Sequence, residues 1–477
     1  MQAGIEEQSA LYQKRIPIFQ RSIRGSFRRF KWAVLALAYG VFFGLVWLPW
    51  PRGTAPSQAL LLDIAARKFY IFSFVFYPQD LILLSVLLFI AAALLFFVTS
   101  LVGRAFCGYF CFQTVWTDFF VWVEHLIQGE RPARIRLYKQ PWDSEKILKL
   151  GATHLIWLLA AFWTGFTFTA YFTYAPQLWL DFFTGQAHPT AYLTVGILSA
   201  STYVAAGLAR EQICTYMCPY ARFQSVMYDQ ETLAVAYDEK RGEGKLGRAS
   251  LRGGMRTLEE RHAQQHGDCI DCSLCVQVCP AGIDIRNGLQ YPCISCGLCI
   301  DACNSIMTSA GFPRGLIRYD SEANLKKAQP AKPKLHWKRL KVLGYGAALL
   351  AMAGFLMVNI TSRSDFDHTV NQVRSPLYVL LSDGSIRNRY QVRISNRASH
   401  DETFRIGVRG IPETAADFGN FHEVLVKSGK SLMVQVSVKL TPEQAAKVSQ
   451  FEFTLTPRSR PSEQHLGRAR FYAKDVL

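Results

Sequence analysis

The chain has 477 residues, half of them hydrophobic, 13% aromatic and only 19% charged. That balance excludes a disordered chain, and twelve cysteines in this length exclude a small disulfide-built scaffold. The formal net charge of +17 admits nucleic-acid binding, but the charge pattern assigns it another origin.

In chain order, a basic N-terminal segment comes first (1–31), carrying Lys14, Arg15, Arg21, Arg24, Arg28, Arg29 and Lys31. Five uncharged stretches follow: Trp32 to Trp50, Leu81 to Val102, a span within Leu155 to Leu180, Pro189 to Leu208, and Val342 to Ser362. A bilayer core of ~30 Å needs about 20 helical residues, so each is read as a transmembrane helix. Phe69 to Gln79 is too short to span and is expected at the interface or on the bundle. The connection after the second span is rich in Lys and Arg, with Arg104, Arg131, Arg134, Arg136, Lys139, Lys146 and Lys149. The connection after the first has only Arg52, Arg67 and Lys68. This asymmetry predicts a cytoplasmic N-terminus and, after five crossings, a periplasmic C-terminus. The first span reads as a retained anchor, without the cleavage site of a signal peptide. Every cysteine then falls on the reducing side, which favours metal ligation over disulfides. With the positive charge explained by topology and no nucleic-acid motif present, nucleic acid is not an expected partner.

Cysteine pairs follow the second and fourth spans: Cys107-Gly-Tyr-Phe-Cys111 and Cys214-Thr-Tyr-Met-Cys218-Pro219. Each has Tyr two residues after its first cysteine and an arginine before it, Arg104 or Arg210. The match reads as an internal duplication. If helical, positions i and i+4 share a face and present two sulfurs to one ion. Thiolates select Cu(I), zinc or iron–sulfur clusters, and the arginines would favour the thiolate form. The plainer alternative is small cysteines that merely pack. Met217 offers a thioether, and His125 and His154 lie near the same edge; each is more ordinarily a packing residue.

Tyr237 to Arg261, rich in charge and glycine, is expected to be a mobile linker. Beyond it stand Cys269-x2-Cys272-x2-Cys275-x3-Cys279-Pro280 and Cys293-x2-Cys296-x2-Cys299-x3-Cys303. This is the bacterial two-cluster ferredoxin spacing, in which the fourth cysteine serves the neighbouring cluster. It assigns Cys269, Cys272, Cys275 and Cys303 to one [4Fe–4S] cluster. Cys293, Cys296, Cys299 and Cys279 fall to the other. Zinc ribbons pair Cys-x2-Cys knuckles across a longer gap and fit poorly.

Lys332 to Lys341 is a basic lead into the last span. Beyond that span, Tyr378 to Leu381, Tyr390 to Ile394, Thr403 to Val408, His422 to Val426, Leu432 to Val438 and Gln450 to Leu455 read as strands. Ser382-Asp383-Gly384 and Ser428-Gly429-Lys430 read as turns between them. Short strands with polar turns predict a β-sandwich, by default a docking module.

The expected architecture is therefore a membrane α-helical bundle of five transmembrane helices. It carries a cytoplasmic two-cluster ferredoxin-like domain (about 265–310, within 209–341) and a C-terminal all-β Ig-like sandwich (363–477). Four helices occupy 32–208 and the fifth 342–362.

Taken in order, the two pairs, the stretch from Gln212 to Gln224, the two cysteine runs, the last span and Ser382 to Asn388 carry a family likeness. The chain resembles the cytochrome c oxidase accessory proteins CcoG, FixG and RdxA over nearly its whole length. The resemblance implies an oxidoreductase of the bacterial inner membrane, a cupric reductase supplying Cu(I) to the copper centre of cbb3-type cytochrome c oxidase. It places copper on Cys107, Cys111, Cys214 and Cys218, with electrons from the clusters on the other eight cysteines. It further implies a cytoplasmic electron donor, a copper chaperone or copper-transporting ATPase and oxidase assembly factors as partners, and admits an oligomer. One departure is Phe112 after Cys111, where proline often follows the cysteine, as Pro219 follows Cys218. Two other readings stand beside it. One is a quinol-oxidising electron-transfer subunit like NapH or NosR, although no flavin domain is found and a NapH-like chain needs no outer β-domain. The other is a non-enzymatic assembly scaffold or redox sensor.

Overall fold

A computed structural model describes residues 17–51, 56–77, 80–251, 255–327, 332–362, 366–398, 400–419 and 421–473. Lys14, Arg15, Arg52 and Gln79 of the sequence reading lie outside these. The chain divides into two compact units, Met1–Leu356 and Met357–Leu477.

The first unit opens with α1 (Ser26–Gly44). A three-stranded antiparallel sheet follows, β1 (Leu60–Asp63), β2 (Lys68–Ile71) and β3 (Phe74–Phe76). The stretch from Phe69 is thus β-structure, forming most of β2 and all of β3. Next come α2 (Leu81–Val102), a short α3 (Ala105–Tyr109), α4 (Phe112–Gln128), α5 (Arg131–Lys139), α6 (Ser144–Ala170), α7 (Ala175–Phe183) and α8 (Pro189–Thr202). The chain leaves α8 through wide i→i+5 turns, Tyr203–Ala209 and then Ile213–Met217, before α9 (Pro219–Met227).

Among the described residues, four helices are long and apolar enough to cross a membrane: Ile82–Val102, Ser144–Ala170, Pro189–Ala209 and Leu340–Thr361. Their outer faces carry large exposed apolar side chains, such as Phe89, Leu159, Ile197 and Leu350, which water would not tolerate in such number. Tight packing appears where side chains are small. A Cβ on Gly165 of α6 would stand 2.8 Å from the Val195 carbonyl of α8, so only glycine lets these helices approach so closely.

The expected span from Trp32 to Trp50 is revised. The helix begins earlier, at Ser26, and ends at Gly44. Its first turns carry Arg28, Arg29 and Lys31, and an acid comes to meet two of them. Asp118 of α4 lies 2.8 Å from Lys31 Nζ and 3.5 Å from Arg28 Nη1. The third span is likewise displaced: it starts at Ser144, capped by Asp143, and ends at Ala170, with α7 a separate helix beginning at a proline turn.

The segment between Tyr237 and Arg261 is not a free linker in its described part. β4 (Ala234–Tyr237) pairs antiparallel with β5 (Ile317–Asp320), framing the cysteine runs. α10 (Glu239–Glu243) and α11 (Leu258–Ala263) pack beside them. Arg261 is fully buried and donates to the carbonyls of Ala249, Gly267 and Cys269. A guanidinium needs several acceptors before burial is tolerable, and the folded-back backbone provides them. The runs themselves contain α12 (Leu274–Gln277) and α13 (Leu298–Ser309); α14 (Glu322–Leu325) and α15 (Leu340–Thr361) follow.

The second unit is a two-sheet sandwich. One sheet orders β10-β12-β8-β6, with β7 pairing β8; the other orders β11-β9-β13-β14. The strands are β6 (Phe366–Gln372), β7 (Val379–Leu380), β8 (Ile386–Asn396), β9 (Glu402–Arg409), β10 (Ala416–Asp417), β11 (Glu423–Val426), β12 (Ser431–Leu440), β13 (Gln450–Pro457) and β14 (His465–Arg470). β8 and β12 run in register from Ser395↔Ser431 to Ile386↔Leu440. Along β8 alternate residues are buried, Tyr390, Val392 and Ile394 facing Phe404, Phe451 and Phe453 across the core. That period of two is the signature of a sheet covered on one face.

Candidate functional site

Six cysteines lie in repeated tight loops of the two runs. Asp271 and Ser273 flank Cys272 with positive φ (51° and 53°), and Ser295 and Gly297 flank Cys296 likewise (51° and 72°). Left-handed residues on either side of one cysteine curl the backbone around it and turn N–H groups inward, a conformation suited to anionic iron–sulfur centres. Cys269, Cys272, Cys275 and Cys303 line one cavity. Cys279, Cys293, Cys296 and Cys299 line a second, whose wall Cys275 shares. The electrostatics agree: Cys303 is pushed up to about 12 by burial and then by Cys275, Cys269 and Cys272. Cys279 is pushed up to about 12 by burial and then chiefly by Cys296. Among the described residues no three His, Cys, Asp or Glu groups are gathered tightly enough to hold one metal ion. The donor set and cavities therefore fit [4Fe–4S] groups.

The membrane-edge pairs do not lie on single helices. Cys107 sits within α3, but Cys111 is the extended residue that caps α4 (φ −64°, ψ 130°). Cys214 sits in the wide-turn segment, and Cys218 caps α9 in the same way (φ −78°, ψ 111°). The shared i, i+4 face is thereby corrected: each pair straddles a helix break. The duplication is nonetheless visible in three dimensions, as a span, a short helical turn, and a capping cysteine. Phe112 takes the first helical position that Pro219 takes in the other copy, and it stacks on Trp116 with centroids 4.0 Å apart. The missing proline leaves the cap geometry unchanged.

The pairs converge. The Cys107 thiol is pushed up to about 12, by burial first, then by Cys111, with Arg104 opposing and Cys214 and Cys218 adding. The Cys214 thiol is pushed up to about 11, by burial, then Cys111 and Cys218. Cys111 is also raised by burial, although the amides of Gln113 and Thr114 at the start of α4 counter it. Burial thus outweighs the arginine and favours the protonated thiol at Cys107, Cys111 and Cys214. Arg210 plays another part than the expected one: it pairs with Glu124. Met217 is exposed, His125 Nε2 meets the Gln20 carbonyl at 2.9 Å, and His154 Nδ1 meets Tyr203 Oη at 2.8 Å. None of the three joins the four thiols.

The two sites touch. A Cβ on Gly108 would fall 2.7 Å from the Ile294 carbonyl and 3.0 Å from Cys296 Cα, so glycine lets the Cys107 loop seat directly on the Cys293–Cys296 loop. Tyr109 Oη donates to the Cys296 carbonyl at 2.8 Å. Arg104 donates one guanidinium nitrogen to the Tyr291 carbonyl and another to the Ala221 carbonyl, bridging the second run and α9. Cys107 Sγ donates to Gln224 Oε1 at 3.2 Å, and Gln224 is fully buried. A small cavity walled by Cys214, Pro280, Pro292 and Ile294 lies between them. Sequence reasoning missed Arg104 as a bridge, Tyr109 and Gln224. The glycine after Cys107 was the one local sign of close approach.

Comparison with known proteins agrees with this geometry. A family described as "4Fe-4S dicluster domain" matches residues 209–322, and one described as "4Fe-4S binding domain" matches 84–130. A third, an IG-like fold at the C-terminal of FixG, matches 356–474. Protein RdxB of Cereibacter sphaeroides is 45% identical over 405 residues, covering 84% of this chain and 83% of its own. Protein RdxA of the same organism is 44% identical over 406 residues, 84% of each chain. The chain belongs to the FixG/RdxA family. The nitrogen fixation protein FixG of Rhizobium meliloti is 41% identical over 437 residues, 84% of this chain and 81% of that one. A crystal structure of a FixG-related protein from Vibrio parahaemolyticus matches 24% of this chain and 99% of its own, at 18% identity and TM-score 0.21. As a FixG/RdxA member with these domains and apolar helices, the chain is a membrane iron–sulfur protein of electron-transfer type.

Proposed function

We propose that this protein is a cupric reductase, passing electrons from two clusters to Cu(II) at the membrane edge, in support of the copper centre of cbb3-type oxidase. The carrying observation is that Cys107, Cys111, Cys214 and Cys218 lie within electrostatic reach of one another, and that Gly108, beside Cys107, seats on the Ile294–Cys296 backbone. Cys269, Cys272, Cys275 and Cys303 would hold one cluster and Cys293, Cys296, Cys299 and Cys279 the other. When bound, such groups supply single-electron transfer at low potential. This chain's residues do the rest. The paired thiols release protons and bind copper as thiolates, which favour Cu(I) over Cu(II) and so make reduction easier. Each Cu(II) accepts one electron to become Cu(I). Arg104 and Tyr109 hold the donor loop against the acceptor thiols. A cytoplasmic N-terminus, five crossings and a periplasmic sandwich that docks oxidase assembly or copper-delivery proteins complete the reading.

The experiment is anaerobic: reduced full-length protein receives Cu(II), and Cu(I) is trapped with a colorimetric chelator. Loss of reduction in Cys214→Ala/Cys218→Ala with iron retained supports the assignment; full reduction in that variant refutes it. A second reading is favoured by the match of 84–130 to a 4Fe-4S binding domain. That segment holds only Cys107 and Cys111, so a cluster there would need Cys214 and Cys218 as well. Iron content decides, about eight per chain for two clusters against about twelve for three.

A further inference from the structure

A cavity of about 310 Å³ lies at the basic end of the spanning helices, outside the thiol site. Its walls come from α4, α5, α6, the wide turns after α8, and the chain before α1. Three cations line it, Arg134, Lys146 and Arg210, against one carboxylate, Glu124. His154 and Tyr138 are the other titratable lining groups, and His154 is engaged with Tyr203. Glu124 is spent: it pairs with both Arg134 and Arg210. Arg134 is 3% exposed, and its Nε has no hydrogen-bond partner among the described residues. Lys146 Nζ, also on a buried side chain, reaches two backbone carbonyls, Tyr138 at 3.1 Å and Gln140 at 2.7 Å, and the face of Trp142, but no carboxylate among the described residues. Positive charge among the lining side chains therefore exceeds negative in a half-open cavity, and two of the cations are themselves buried, which is costly unless an anion shares it.

The rest of the wall says which anion. Thr153 and Trp157 belong to one candidate span and Gly207 and Leu208 to the end of another, so the cavity stands at headgroup depth. Leu137, Leu150 and Leu208 give it an apolar side. A free inorganic anion has no use for such a side; a phosphate attached to glycerol and acyl chains does. We propose that this cavity is a binding site for the phosphate of an anionic phospholipid, held by Arg134, Lys146 and Arg210, with the acyl roots along the leucines. Anionic lipid attracts Lys and Arg at membrane surfaces, and here the cations are pre-positioned.

The test uses detergent-purified full-length protein with its iron, titrated by native mass spectrometry with short-chain phosphatidylglycerol, phosphatidylcholine and inorganic phosphate. Phosphatidylglycerol should bind at least about tenfold tighter than phosphatidylcholine, a difference of about 1.4 kcal/mol. Lys146→Gln should weaken it roughly fivefold. Leu150→Trp, which keeps every charge but fills the apolar side, should weaken the lipid and leave inorganic phosphate unaffected. Unchanged iron content in both variants shows that they fold. Equal binding of the two lipids, inorganic phosphate binding as tightly as phosphatidylglycerol, or a neutral quinone displacing the lipid would each overturn the proposal.

Discussion

The cysteine runs and the membrane-edge pairs are both duplications, yet they gather sulfur differently. In the runs, left-handed residues around Cys272 and Cys296 bend one short loop until three cysteines face one cavity, and the other run lends the fourth. At the membrane edge each copy lends two, one inside a helical turn and one as a helix cap. A run is nearly complete by itself, whereas a pair is half a site. Local sequence gathers the first set of sulfurs; tertiary folding must bring together the second.

The sharpest way to break that contrast is to remove one sulfur from a run and, separately, both sulfurs of a membrane-edge pair. Cys296→Ala should cost about four of about eight iron and disturb the neighbour through the shared wall, abolishing Cu(II) reduction; iron and labile sulfide assays report it. Unchanged iron would show that Cys296 is not a ligand. The membrane-edge doubles, Cys107→Ala/Cys111→Ala and Cys214→Ala/Cys218→Ala, should fail alike, since either leaves half a site. Each should lose Cu(I) binding while keeping about eight iron. If only one double loses it, the convergence has no functional meaning.

A smaller effect is expected at the bridge. Arg104→Lys cannot serve the Tyr291 and Ala221 carbonyls together, so it should keep iron and copper binding but slow Cu(II) reduction by roughly tenfold, equivalent to about 1.4 kcal/mol. Single-turnover kinetics separates this from a binding defect. The smallest effect is with pH. The Cys107 and Cys214 thiols lie at about 12 and 11, above their ordinary value. Each proton must leave before metal binds, so Cu(I) affinity should rise steadily between roughly pH 6 and pH 8. A competition titration giving a flat profile would mean the thiols are already ionised.

The same contrast explains what the sequence could tell. Cluster spacing is local, so the eight run cysteines were legible as two sets, and strands β8, β9, β12 and β13 were legible from alternation. The edge strands β6 and β14 were not: Phe366–Gln372 and His465–Arg470 are dominated by polar residues. The helix breaks at Cys111 and Cys218 were hidden because a cap residue depends on how the chain enters the next helix. Arg261 read as part of a loose linker because its acceptors exist only after the backbone folds around it. Basic residues in α1 obscured its start because their partner Asp118 comes far later in the chain.

One contact carries a consequence for biogenesis. Asp301, in α13 of the second run, accepts from the Arg28 amide at 2.9 Å and from Ser26 Oγ at 3.3 Å, at the opening of α1. The ribosome makes Arg28 273 residues before Asp301. The first helix therefore waits, its leading turn uncapped, until almost two thirds of the chain has emerged and the cysteine runs have taken shape. Final seating of the first helix thus depends on the folded second run, and a chain whose runs misfold leaves that helix without its Asp301 contacts.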